Sequence, residues 1–216
     1  MVTYQDLLEV GDSQSQRMDF VRKAINQHKS TQLYQTAVIA NDYDRHLNRT
    51  IMEYQKVLYD VMGRAVPDVW TANYKLASRF FNRFITQENQ YLLSNGVSWV
   101  NEDTAKKLGE DFDTRLQEAG LNALKGAVSF GYFNYDHLEV FPVTEFAPLY
   151  DEENGALMAG VRFWQIDDKK PLRATLYEVD GYTDYMWKRR DSDDASGEIL
   201  HEKRPYIEKI KVSKAD

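Results

Sequence analysis

The sequence predicts an α+β protein, with helices first, one of them long and amphipathic, and an antiparallel β-meander after them. Three observations carry this. Apolar residues recur at helical spacing in the first half, the spacing changes to alternation after Gly126, and Asp180-Gly181 joins two β-rich runs.

Residues 1–15 read as a leader, mobile or docked. From Gln16 to Lys29, the positions of Phe20, Val21, Ala24 and Ile25 predict a short amphipathic helix. Residues 30–70 resist assignment. Val38, Ile39, Ile51, Val57 and Leu58 are apolar, but polar Tyr-rich stretches interrupt them and Gly63 and Pro67 break any period. The clearest helix runs from about Asn73 to Leu93. Leu76, Phe80 and Phe84 form one row, and Ala77, Phe81, Ile85 and Leu92 widen it. Asp68 and Thr71 precede it, and Asn95-Gly96 stops it. This stripe is expected to cover the sheet, with Phe84 buried. A second helix is expected from Asn101 through Leu108, Phe112, Leu116 and Ala119, punctuated by Gly120 and continuing through Leu121 and Leu124.

In "ALMAGVRFWQI" Leu157, Ala159, Val161 and Phe163 share one face of a strand, and Met158, Arg162, Trp164 and Ile166 share the other. "LRATLYEV" and "YTDYMW" follow as a hairpin through the Asp-Gly pair. The organisation is a leader over 1–15, an α+β domain over 16–190, and a charged loop or linker over 191–216.

Composition narrows the function. The chain has 216 residues, no cysteine and a net charge of −7. Without cysteine there are no disulfides, thiolate nucleophiles or Cys-ligated zinc. The acidic balance disfavours gripping nucleic acid over a wide surface. No apolar run approaches the ~20 residues that span a bilayer, so no membrane partner is expected. The opening residues lack the order of a secretory signal.

No motif points to catalysis. His28, His46, His137 and His201 have no zinc-type spacing. "DSDDASGEILHE" places acids like a calcium loop but has Ala195 and Ser196 where a ligand and the turn glycine belong. The acidic turn after Tyr150 brings Gly155 too early for that pattern. Neither phosphate-binding glycine motif occurs, nor a G-x-S-x-G elbow. Many acids remain, which leaves a paired-carboxylate hydrolase open, but none stand out as a pair. Lys188-Arg189-Arg190 is offset by Asp191, Asp193 and Asp194. Arg162 and Trp164 are candidates for a subunit contact. An arginine on an exposed sheet face fits Arg162 equally well. No catalytic residue, metal ligand or cofactor is assigned.

"FAPLYDEENGALMAGVRFW" (146–164) resembles a segment of the portal proteins of tailed double-stranded DNA bacteriophages: an aromatic-Pro run, an acidic turn, and a strand ending in Arg-aromatic. "YDRHLNRTI" (43–51) is similar to the family's Tyr-rich segment. "TANYKLASRFFNRFITQENQYLLSNGV" (71–97) is similar to its long helix, with Ser94 where many members have glycine, and "GAVSFGYFNYDHLEVF" (126–141) to the aromatic strands that follow. Together these span roughly residues 16–190 in the family's order. Portal chains continue into long stem helices and a clip, which nothing in this sequence resembles. The resemblance therefore implies the N-terminal, mostly wing portion, with 191–216 leading towards a stem. It implies a structural subunit and not an enzyme: a ring, usually a dodecamer, at one capsid vertex of the virion, assembled in the host cytoplasm. Its implied partners are further copies of itself, terminase, scaffolding and capsid proteins, and a head–tail adaptor. DNA passes through the channel without sequence-specific binding. A metal-dependent hydrolase or nuclease, or a head–tail adaptor module, are the alternatives.

Overall fold

A computed structural model describes residues 2–100, 103, 107–134, 137–167, 169–187 and 197–206. The chain begins with α1 (Tyr4–Val10), set by a capping box in which Thr3 and Asp6 each accept the other's backbone N–H. The leader is docked: Val2 and Leu7 are buried in the main core. Helix α2 (Gln14–Ser30) buries Phe20, Val21, Ala24 and Ile25, the face that the spacing predicts. One residue separates it from α3 (Gln32–Asp44). The Thr31 hydroxyl donates to the His28 carbonyl at 2.7 Å and accepts from the Tyr34 N–H, closing one helix and capping the next.

The alternation after Gly126 becomes two antiparallel sheets. Strands β3 (Ser129–Asn134) and β4 (His137–Pro142) form a hairpin. Strands β5 (Phe146–Tyr150), β6 (Leu157–Trp164), β7 (Leu172–Tyr177), β8 (Tyr182–Trp187) and β9 (Gly197–Ile199) form a meander in that order. Helices α1 and α2 lie on its inner face. Ala159, Val161, Phe163, Ala174, Leu176 and Tyr185 meet them there, each almost fully buried. The mixed α+β class and the inward face of β6 are thus as the sequence predicts.

The hairpin turn is shifted by one residue. Tyr177 pairs with Tyr182 and the Glu178 N–H donates to the Gly181 carbonyl, so Val179-Asp180 forms the turn and Gly181 lies outside it. Gly181 serves a close approach instead: a Cβ there would stand 2.5 Å from the Arg204 carbonyl oxygen. Tyr182 bridges to Arg204, and β9 pairs with β8, so residues 197–206 belong to the packed unit and are not the loop or linker expected.

The long helix is shorter than expected and faces elsewhere. Helix α5 spans Phe80–Leu93; residues 73–79 are not helical, and Asp68 instead accepts the N–H groups of Trp70 and Thr71 in a local turn. The row that packs is Phe81, Ile85 and Asn89, one residue along from Leu76, Phe80 and Phe84, hence about 100° round the helix. Phe84 is 63% exposed, and among the described residues its ring stacks only on Phe80, so it does not cover the sheet. The partners of α5 are α3 and α6 (Phe112–Gly126). Asp44 ties the three together: Asn82 and Lys125 each donate to it at 2.6 Å. Burial disfavours that carboxylate, but the two hydrogen bonds outweigh it and hold its pKa below the ordinary range.

Helix α6 runs straight through Gly120. The missing side chain lets α5 approach, since a Cβ there would stand 2.7 Å from a Leu93 methyl. The helix expected to run from Asn101 through Leu108 into Phe112 is interrupted: residues 108–111 are not helical and Gly109 takes φ +88°, while the stretch before them lies largely outside the described residues. Among the described residues no helix is long and apolar enough to cross a membrane.

Candidate functional site

The outer face of the meander carries Arg162, Trp164, Thr175, Tyr177, Tyr182 and Asp184, set there by the strand period. The β3–β4 hairpin folds over part of this face. Phe130 and Phe141 meet Phe146 at ring distances of 4.6 and 5.7 Å, and Tyr132 meets Tyr177 at 4.9 Å. Arg162 sits in this seam. Its guanidinium lies 4.5 Å from the Phe141 ring centre and 4.9 Å from that of Trp164, and it reaches the Glu139 carboxylate at 3.4 Å. The two candidates for a subunit contact are therefore neighbours. Arg162 has an intramolecular task, clamping the hairpin to the sheet, while half-buried Trp164 lines the clefts on both its sides. Burial pushes the Tyr177 phenol up to about 12; Glu139 adds to this and Arg162 opposes it.

Two polar groupings hold this edge together. Asp184 accepts the Thr175 hydroxyl at 2.5 Å, and its other carboxylate oxygen lies 2.8 Å from His201 Nε2, while His201 Nδ1 lies 2.8 Å from the Glu202 carbonyl oxygen. The threonine and the histidine meet opposite oxygens of the carboxylate and make no hydrogen bond to each other. Glu178 takes Arg17 at 2.7 Å and Lys203 at 3.2 Å, linking α2, the β7–β8 turn and the residues after β9. Tyr206 donates to the Glu178 carbonyl at 2.7 Å and has its own phenol raised, chiefly by burial. The chemistry here is cross-bracing.

The histidines do not converge. His28 is buried, with Nε2 donating to the Val143 carbonyl at 2.7 Å; His137 and His201 contact Glu139 and Asp184 separately. Among the described residues no group of three or more metal-ligand types is placed to hold an ion. The turn after Tyr150 is an ordinary hairpin loop: Asp151 accepts the N–H groups of Asn154 and Glu153, which lower its pKa, and Gly155 takes φ +67°. Lys188–Arg190 and the acids that follow lie outside the described residues.

Sequence reasoning missed a surface. From Arg49 to Phe84 no residue is buried. This arm holds α4 (Arg49–Glu53), a hairpin of β1 (Val57–Tyr59) and β2 (Ala65–Pro67), and an extended run up to α5. It carries many large apolar side chains, among them Trp70 at 88% exposure and Leu76 at 85%. The signal was the density of apolar residues in "VLYDVMGRAVPDVW", which fits neither a helix stripe nor a one-sided strand. Comparison with protein-family models and with curated proteins finds no match to the chain.

Proposed function

We propose that this protein is a structural subunit of the portal ring at one vertex of a tailed-phage capsid. In that role it contributes to the channel for DNA packaging and ejection and to the platform on which the terminase motor docks. The observation that carries the reading is the arm over 49–84, an apolar surface outside both cores of the fold. Exposed apolar area of that extent marks an interaction surface, because water around it costs free energy that a neighbouring chain relieves. A working subunit of a large assembly needs such a surface; a small hydrolase does not.

The four portal-like segments support a portal ring as that assembly. The acidic balance suits a conduit, since a wall that paired many phosphates would hold DNA by counterion release and resist its sliding. Antibody against this chain should label one vertex of the encoding virion, on the capsid side of the head–tail junction. Label spread over the whole capsid, or absent from the particle, overturns the proposal. Label on the tail side favours an adaptor, and magnesium- or manganese-dependent turnover lost on changing specific carboxylates favours a hydrolase.

A further inference from the structure

We infer that the arm of one copy docks, through Val69–Leu76, in the apolar groove on the outer sheet face of the next copy. This rests on the ring-subunit reading and names the contact within it. The groove lies between the β3–β4 hairpin and the meander, is open with a volume of about 300 Å³, and is lined chiefly by Tyr132, Phe141, Leu157, Met158 and Tyr177, with the ion-paired Glu178 as its one charged neighbour among the described residues. Its floor is apolar and aromatic, and its size admits one or two large side chains such as Trp70 and Leu76.

Three observations select a second copy as the occupant. First, the arm does not fill this groove in its own chain, since Trp70, Tyr74 and Leu76 are all at least 85% exposed. A two-stranded hairpin with every residue exposed has little stability of its own and gains it by packing on something else. Second, charge is divided between the two surfaces. Over residues 54–83 there are five cations and two carboxylates, in a chain whose net charge is −7. Lys75, Arg79 and Arg83 form no ion pair among the described residues. The turn leading into Leu157 holds Asp151, Glu152 and Glu153, which form no ion pair among the described residues either. A basic, apolar arm thus matches an apolar groove whose lining residue Leu157 is preceded by an acidic turn. Third, arm and groove are different patches, so each copy gives its arm to one neighbour and takes one from the other. That head-to-tail contact is the kind that closes into a ring.

The chain has no cysteine, which makes the test direct. Trp70→Cys and Met158→Cys proteins, prepared separately and mixed at high concentration with a short bis-maleimide, should give a cross-linked pair. Trp70→Cys mixed with Lys23→Cys, on the helical face opposite, should not. Trp70 and Lys23 are exposed and Met158 is partly so; unchanged circular dichroism and melting confirm each variant's fold. The triple change Lys75→Glu, Arg79→Glu, Arg83→Glu should weaken self-association by about tenfold or more, the equivalent of one lost contact of ordinary strength. Adding Glu152→Lys and Glu153→Lys to the partner should restore it. Equal yields from the two cysteine mixtures, absence of the 70–158 product, or failure of the charge swap to rescue would overturn the arm–groove contact. Those results leave the vertex-labelling test of the ring reading untouched, and a failed vertex label leaves the cross-link result standing as a contact in another assembly.

Discussion

Replacing Arg162 by Met keeps an apolar stem in the seam and removes the charge and the planar fork. Three contacts go with it: the Glu139 ion pair at 3.4 Å, and the stacking on Phe141 at 4.5 Å and Trp164 at 4.9 Å. The Arg162 and Glu139 side chains are 32% and 30% exposed, which puts the ion pair in the range of about 0.2–1 kcal/mol. Each ring contact adds about 0.5–1 kcal/mol. Glu139 keeps a hydrogen bond from Asn134 and its contact with His137, so no carboxylate is stranded. The expected loss is therefore about 1–3 kcal/mol in the isolated chain. Urea unfolding in dilute solution should show a midpoint lower by about 1 M, with slope unchanged. A double-mutant cycle with Glu139→Gln should return a coupling inside the ion-pair range above. A midpoint that does not move, together with weakened self-association, would refute the intramolecular clamp and return Arg162 to the subunit interface.

Burial holds the His28 imidazole below its ordinary pKa, with the Val143 carbonyl opposing. The unfolded chain therefore binds that proton more readily: the stability from neutral His28 is complete above pH about 6.5 and is lost as the pH falls towards the lowered folded value. His28→Gln should flatten the stability profile below about pH 6.5; an unchanged profile would contradict this. Leu176→Ala, at a fully buried site, should cost about 2–5 kcal/mol in chemical unfolding, whereas Phe84→Ala should lie within about 0.5 kcal/mol of the parent. The reverse order would restore the sheet-covering helix. Gly181→Ala should cost about 1–3 kcal/mol, as its Cβ meets the Arg204 carbonyl, and should raise protease cleavage near 204. A neutral effect would mean that residues 203–206 do not depend on that contact. Near physiological salt, duplex DNA should bind weakly or not at all, because the net charge is −7. Micromolar affinity with a steep salt dependence would place a basic face on the folded chain.

The sequence alone was enough for whatever depends on a local period. Phe20, Val21, Ala24 and Ile25 mark the buried face of α2, and the alternation through Val161 and Phe163 marks the core face of β6, because period and burial coincide where an element has a single apolar side. Where both rows of a helix are apolar, the period cannot choose between them. Phe80 and Phe84 were as good a stripe as Phe81 and Ile85, and only the position of α3 and α6 decided that the second row packs. Local turn rules likewise found the β7–β8 hairpin but not its register, in which Tyr177 pairs with Tyr182 and Gly181 is packed against Arg204. The outer-face site needed tertiary structure altogether. Glu139 and Phe141 on β4, Arg162 on β6 and Asp184 on β8 are far apart in sequence, and no spacing in the chain records that folding the hairpin over the meander brings them together. The exposed arm shows in the sequence only as an apolar run without a period, since apolar residues of a core and apolar residues awaiting a partner have the same composition. Burial, which separates the two, is a property of the folded chain.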